Sequence, residues 1–405
     1  MPASTVHTPP SAPCDVLILG AGASGMFCAV HAARRGRRVT VLDHGPKTLR
    51  KVRISGGGRC NFTNLELGPE DYVSGNPHFC KSALARYTPW DAVAYLATHA
   101  IGYEEREFGQ LFCDPDALAL VRALEADARG AGVRVLLRRS VDGVERETTP
   151  GGDPLYRVRS GGEAFTAPKL VIATGGPSWP DVGASDLAVR LARQFGLRVE
   201  PLRPALAPLV LPGEDGRICR ELTGIALRVA ASCGHASFAT DLLFTHRGVS
   251  GPAALQLSTT WTPGQPVTVN LLPGLDLERE LLDRRGENVL LRNAFAGRLP
   301  GRLPPLFLGE QLGGVALSRL TEALRAEAAA RLQTWTFTPS RTEGMAKAEV
   351  AAGGVDTAAF SSKTMECTAV PGLYVLGEAL DVTGRLGGYN LHWAFASGFA
   401  AAQHL

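Results

Sequence analysis

Gly20-Ala21-Gly22-Ala23-Ser24-Gly25 follows the four apolar residues Val16 to Leu19 and opens a helix-compatible segment that ends near Arg35-Gly36. Val39 to Leu42 is the next apolar run, so the opening reads strand, glycine turn, helix, strand, with a right-handed crossover. Each glycine of this G-x-G-x-x-G has its own task. Gly20 permits the tight turn, Gly22 lets backbone approach a pyrophosphate, and Gly25 allows close packing of helix on strand. The helix start, with Ala23 and Ser24 in its first turn, turns a partial positive charge toward phosphates. Asp43, 23 residues beyond Gly20 at the end of the second strand, is placed to accept hydrogen bonds from a ribose diol. Dinucleotide binding is therefore expected, against the blander reading of a glycine turn with a surface acid; which dinucleotide stays open at this point.

A chain of 405 residues suggests two or three domains at about 100 to 200 residues each. With 45% hydrophobic and 20% charged residues, collagen, wholesale disorder and long coiled coils are excluded. The patterning predicts helices over Tyr87 to Ala100, Asp116 to Ala131 and Ala184 to Phe195, and strands over Val133 to Leu137 and Leu170 to Ala173. Prolines at 201, 204, 208 and 212 then break the pattern, and β-rich segments follow at 225–231, 236–244 and 266–272. A helical stretch covers about 276–333, after which Leu373 to Leu376 and a helix from Leu391 resume the style of the first domain. The predicted fold is α/β: a discontinuous Rossmann-like domain over 13–198 and 345–405, interrupted at 199–344 by a β-rich domain with a small helical subdomain. Residues 1–12 read as a flexible tail without signal-peptide character, which makes the cytoplasm the default compartment.

Lys+Arg 42 against Asp+Glu 39 gives a formal charge of only +3, so neither nucleic acid nor a membrane is expected as a partner. The densest basic cluster, Arg34, Arg35, Arg37 and Arg38, reads as a solvated helix end whose cations face the negative end of the helix dipole. The eight cysteines contain no C-x-x-C pair and no zinc-like cluster, so neither a disulfide framework nor a metal site is expected. Cys60 has no partner cysteine nearby in sequence and is assigned a structural role.

The stretch Lys51 to Asn64 carries three consecutive glycines, which expose backbone N–H groups, together with the polar residues Ser55, Arg59, Asn61, Thr63 and Asn64. Its SGGGRCNFTN core resembles the signature of the bacterial FAD-binding oxidoreductase family that includes aminoacetone oxidase-like enzymes. Val171 to Gly176, Leu243 to Pro252 (LFTHRGVSGP) and Gly377 to Asn390 resemble further motifs of that family and extend the likeness to nearly the whole chain. The resemblance implies a two-dinucleotide-binding-type fold with FAD as cofactor. Its contacts would fall on Gly57, Gly58, Arg59, Cys60, Asn61, Thr63, Thr174, Gly175, Gly176, Gly377, Glu378, Asp381, Gly387, Gly388, Tyr389 and Asn390, beside Gly20, Gly22, Ala23, Ser24, Gly25 and Asp43. Glu378 or Asp381 would meet ribityl hydroxyls or a pyrophosphate-bound water. The helix after Gly387 and Gly388 would aim N–H groups at the pyrimidine edge of the flavin and favour its reduced form. The chain departs from the family in lacking a G-S-T-G-D-G run after residue 180, and in having Asp43 where glutamate is usual.

Flavin enzymes leave electron transfer to the cofactor, so an essential acid or base is not required. His246 is the first candidate for proton transfer or substrate contact, against the reading of a histidine that braces a turn; Tyr389 and His392 come second. Ser250 before Gly251-Pro252 reads as a helix cap. The family implies hydride transfer between a small-molecule substrate and flavin. An amine such as aminoacetone with oxygen as acceptor is one form; NAD(P)H as a transient donor for carbonyl or olefin reduction is the other. Two rivals are an NAD-dependent dehydrogenase without flavin, which SGGGRCNFTN and GGYN argue against, and a flavin-bearing RNA-binding or scaffolding protein using Arg34 to Arg38 and the insertion as contact surface.

Overall fold

Val16–Leu19 (β1) is wholly buried and forms the middle strand of a five-stranded sheet in the computed structural model, which describes residues 14–405. The expected tail lies outside the described residues. All four pairings in this sheet are parallel: β1 lies between 169–172 and Val39–Asp43 (β2), with 373–375 and 134–137 at the edges. Burial on both faces is why these strands are continuous apolar runs rather than alternating ones. Ala23–Arg34 (α1) crosses back between β1 and β2 and packs against the C-terminal helix Tyr389–Ala402. The two helices come close at Gly398, where a Cβ would lie 2.7 Å from the Ser24 carbonyl oxygen. The last part of the chain thus supplies both a strand and a helix to the domain that the first part begins.

The chain divides into two compact units, one comprising residues up to Arg203 and from Val350 onward, the other Pro204–Glu349. In the first, Arg50–Ile54 (α2) leads into the glycine loop and then into Asn61–Asn64 (β3), which pairs antiparallel with 110–114; that strand pairs in turn with 102–106. A second antiparallel sheet, 143–148, 154–160 and 163–167, was not read from the sequence. Val199–Ala205 forms a strand paired with Val350–Val355 although it contains two prolines, because a two-stranded sheet offers edges where a missing N–H is harmless.

The Pro204–Glu349 unit holds a seven-stranded sheet around a core that includes Val229, Phe244, Leu257, Val269 and Trp335, with helices at 277–283, 303–313 and 322–333. LFTHRGVSGP spans a hairpin with a two-residue turn. A Cβ on Gly248 would sit 2.2 Å from the Leu209 carbonyl oxygen, and one on Gly251 2.8 Å from the Leu243 nitrogen. The glycines of this motif are therefore required by strand packing. No helix among the described residues is long and apolar enough to cross a membrane, and Val16 to Ala33 is strand, turn and helix.

Candidate cofactor crevice

In a parallel sheet the loops at the carboxyl ends of the strands form the ligand crevice. After β1, Gly20 takes φ +107°, and a Cβ there would lie 2.4 Å from the Ala173 carbonyl oxygen; a Cβ on Gly25 would lie 2.0 Å from the Gly20 oxygen. Packing thus demands both glycines. Gly22 is different: a Cβ would meet no described atom within 4 Å, and no described side chain caps the α1 N-terminus. The space in front of that helix end fits a phosphate. Asp43 braces the turn, accepting from the Ala21 N–H at 2.8 Å and the Gly45 N–H at 2.6 Å, with Arg50 at 3.2 Å.

The second wall is the glycine loop. Gly57 and Gly58 have φ of +67° and +86° with open space where a Cβ would be. The residues that follow clamp the C-terminal glycines: Asn64 Nδ2 donates to the Gly387 oxygen at 3.0 Å, and a Cβ on Gly388 would fall 2.4 Å from the Thr63 oxygen. His392 Nε2 lies 2.9 Å from the Tyr87 carbonyl oxygen and therefore donates to it, so Nδ1 accepts from the Thr63 hydroxyl at 2.8 Å. Burial lowers the His392 pKa to about 4, and the ring is a neutral brace. Asn390 holds the turn at Gly384 through reciprocal bonds of 2.9 Å, and Arg59 is paired with Glu104. Tyr389 is buried, its carbonyl accepts from the Tyr72 hydroxyl at 2.9 Å, and burial pushes its phenol pKa up to about 12.

That histidine geometry has a pH signature. A base whose pKa is depressed in the fold contributes stability above its unfolded value near 6.5 and loses it as pH falls toward about 4. His31, also lowered to about 4 by burial, behaves alike. His392→Asn should therefore be less stable than the parent at pH 7 yet lose less on acidification to pH 4.5, with His31 keeping the remaining slope. Urea midpoints at the two pH values check this, and an unchanged slope would contradict the neutral brace.

The third wall carries a network with a member that the sequence reading missed. Lys51 Nζ donates to Ser178 Oγ at 2.6 Å and to Glu378 Oε2 at 2.7 Å, Ser178 donates to Glu378 Oε1 at 2.8 Å, and the Ala351 N–H reaches the same oxygen at 2.9 Å. Burial alone would raise the Glu378 pKa, but the Lys51 charge and these hydrogen bonds hold it below the usual carboxylate value. Loops following β2, strand 169–172 and strand 373–375 are fastened together by one carboxylate. Both Glu378 oxygens are engaged by protein donors, which makes its first role to shape the crevice. Gly175 and Gly176 lie against it, and a Cβ on Gly176 would come within 2.9 Å of Oε1. Gly377 takes φ +62° beside Ser24, and Thr174 Oγ1 is buried without a hydrogen-bond partner among the described residues. Asp381 accepts from the Gly75 N–H at 2.7 Å, and burial raises its pKa.

Two further sequence expectations meet geometry here. Cys60, with no cysteine near it in sequence, lies across an antiparallel pair from Cys113, whose N–H donates to the Cys60 oxygen at 3.1 Å. A thiol hydrogen bond from this contact, followed by burial, pushes the Cys113 pKa up. All eight cysteines are free and buried. His246 belongs to the Pro204–Glu349 unit, exposed on the two-residue turn between strands 236–245 and 248–250.

The orphaned Thr174 hydroxyl, the uncapped helix start and the vacant Cβ positions at Gly22, Gly57 and Gly58 together fit a dinucleotide bearing phosphates and hydroxyls. Comparisons with known proteins agree. The chain is 45% identical over 397 residues to the ribosomal RNA dihydrouridine synthase of Escherichia coli K12, covering 96% of this chain and 98% of that protein. It is 43% identical to the Haemophilus influenzae protein of the same name, covering 95% and 97%. These names overturn the expectation of no nucleic-acid partner: a net charge is a sum over the whole surface and does not report local patches. A 3-dehydro-bile acid delta(4,6)-reductase of Clostridium scindens is 28% identical over 408 residues, covering 95% and 97%. None of these three is named for amine oxidation. A 3-ketosteroid delta1-dehydrogenase of Sterolibacterium denitrificans shares the fold, with TM-score 0.52 at 12% identity over 97% of this chain and 99% of that one. The chain is an enzyme of the oxidoreductase class on a Rossmann-type FAD-binding fold. Residues 14–404 match the HI0933-like protein Rossmann domain, and the chain belongs to that family.

Proposed function

We propose that this enzyme reduces a uracil of ribosomal RNA to dihydrouracil, with reduced nicotinamide nucleotide as the electron donor. The observation that carries the reading is the 45% identity to a ribosomal RNA dihydrouridine synthase along essentially the full length of both chains. The bile-acid relative, which favours a small-molecule substrate, stands at 28%. In the reaction the C5–C6 double bond of uracil gains one hydride and one proton, and the nicotinamide loses the hydride. FAD, when bound, supplies the two-electron carriage between them. The chain's own residues hold and shape. Gly22 and the α1 N-terminus would receive the pyrophosphate and Asp43 the adenosine ribose. The Gly57-Gly58 backbone, Thr174 and the N-terminus of the 389–402 helix would line the rest, between walls fixed by Lys51, Ser178 and Glu378. Only one G-x-G-x-x-G is present, so the nicotinamide donor would visit and leave rather than occupy a second Rossmann domain.

The test is anaerobic incubation of the purified protein with FAD, NADPH or NADH, and ribosomal RNA transcribed in vitro, followed by mass analysis of the nucleosides. Uridine gaining two hydrogens is expected, and flavin bleaching by the donor without that product in any ribosomal RNA would refute the substrate. Gly22→Ala serves as the internal control. Its Cβ meets no protein atom, so the unfolding midpoint of the apoprotein should stay within error, while FAD affinity should fall roughly tenfold or more because the methyl occupies the phosphate approach.

A further inference from the structure

We infer that the amino-end face of the parallel sheet, opposite the crevice, is a phosphate-contacting surface for RNA, built from Arg35, Arg37, Arg86, Lys169 and His404. The inference rests on the RNA-substrate reading above. These residues come from four separate segments that the fold gathers around the end of the C-terminal helix. Arg35 and Arg37 precede β2, and Lys169 opens the strand that pairs with β1 on its other side. Gly20 follows β1 at its far end, so roughly 15 Å of strand separates this face from the crevice, at about 3.3 Å per residue.

Their hydrogen-bond partners are what mark the surface. Arg35 donates to the Gln403 side-chain and main-chain oxygens at 3.3 and 3.1 Å, and Arg37 to the Leu405 oxygen at 2.8 Å. Arg86 donates to the Lys363 oxygen at 2.7 Å and to Ser82 Oγ at 2.8 Å, and Lys169 to the His404 oxygen at 2.8 Å. For Arg35, Arg86 and Lys169 the partners are carbonyl, amide and hydroxyl oxygens and, for Arg86, His404 Nε2 at 3.5 Å, which fix the direction of a cation without cancelling its charge. Arg38, by contrast, is neutralised by Asp15 at 2.8 Å. Glu366 is a carboxylate that opposes the cations at His404 and Lys169. Burial, then the charges of Arg86, Arg35 and Lys169, lower the His404 pKa, as cations gathered around one imidazole must.

One base presented to a narrow crevice makes few contacts, and an enzyme acting on a large RNA draws most of its affinity from phosphates elsewhere. Such contacts set position and register without reading sequence. A cation cluster well away from the chemistry suits that task.

The experiment uses the FAD-loaded full chain, deproteinised ribosomal RNA as probe, and the triple variant Arg35→Gln/Arg86→Gln/Lys169→Gln. Affinity at about 0.1 M salt should fall roughly 10- to 100-fold, and the slope of log K against log salt should flatten by about 2 to 3, near 0.7 to 0.9 for each cation removed. The rate of flavin reduction by nicotinamide should not change. A purely structural role for these residues predicts a lower urea midpoint with unchanged RNA affinity and slope, and that result overturns the surface while leaving dihydrouridine formation intact. If the variant loses RNA binding but the parent forms no dihydrouridine, the substrate reading falls and the surface stands. A parent that binds no ribosomal RNA overturns both. Equal binding of the parent to phosphatidylglycerol vesicles, lost in the variant, would replace the RNA assignment with an unspecific polyanion site.

Discussion

Lys51→Met should lower stability at pH 7 by about 1 to 3 kcal/mol and strip the protein of FAD, because it leaves the partly buried Glu378 carboxylate without its counter-charge. Methionine keeps most of the lysine stem, so little packing is lost. What is lost is the ammonium 2.7 Å from Oε2 and its bond to Ser178 at 2.6 Å. Glu378→Gln should do less damage, since it leaves behind a lysine whose side chain is 35% exposed and can be hydrated. The double variant should recover part of the single loss, as expected for residues in one network. The pH dependence gives the sharper test. In the parent the Glu378 pKa is depressed, so its contribution is present above the unfolded value of about 4.5 and fades as pH falls through the folded one. Without Lys51, burial raises the pKa instead, and the carboxyl takes up a proton as the solution is acidified. The stability gap between parent and Lys51→Met should therefore narrow from pH 7 to pH 5. Urea titrations at the two pH values measure it, and a gap of constant size would mean that Glu378 is not the charge Lys51 serves.

Lys51 also shows where sequence reading stopped. Patterns that depend on neighbours along the chain were legible. The glycine turn, the two apolar strands around it and the helices near 117–130 and 389–402 all lie within a few residues of their expected positions. The 143–167 meander has its own local signal, Pro-Gly-Gly-Asp-Pro and Ser-Gly-Gly turns between short runs of strand-forming residues. Partnerships across hundreds of residues were not legible. Glu378 was picked out as a polar group beside the cofactor, yet nothing in its neighbourhood names a lysine 327 positions earlier. Cys60 has no cysteine near it in sequence, and nothing there names Cys113, which a strand pairing sets opposite it. The same blindness underlies the wrong expectation about nucleic acid. Arg35, Arg86 and Lys169 come near one another only once the fold has gathered their segments around the end of the chain's last helix.

Gly388→Ala should be a strongly damaging single-methyl change, costing about 2 to 5 kcal/mol. At φ +96° any other residue is strained by about 1 to 2 kcal/mol. The added carbon would also meet the Thr63 carbonyl oxygen at 2.4 Å, its carbon at 2.6 Å and Asn61 Oδ1 at 2.7 Å, two of them backbone atoms of a paired strand that cannot swing aside. Overpacking of that kind adds roughly 1 to 3 kcal/mol. Gly57→Ala is the proper comparison: its φ of +67° carries similar strain, but a Cβ there meets nothing within 4 Å, so about 1 to 2 kcal/mol is expected. The difference between the two isolates the contact that joins SGGGRCNFTN to GGYN. Thr63 to His392 and Asn64 to Gly387 are the hydrogen bonds that close the same seam, and a shift of Gly388 pulls on both. Gly388→Ala should accordingly lose FAD along with stability, because the two walls part. Gly57→Ala should keep its fold and weaken only the cofactor. Urea midpoints and flavin content of the two variants decide it; equal tolerance of both would mean that the two ends of the chain do not meet at this point.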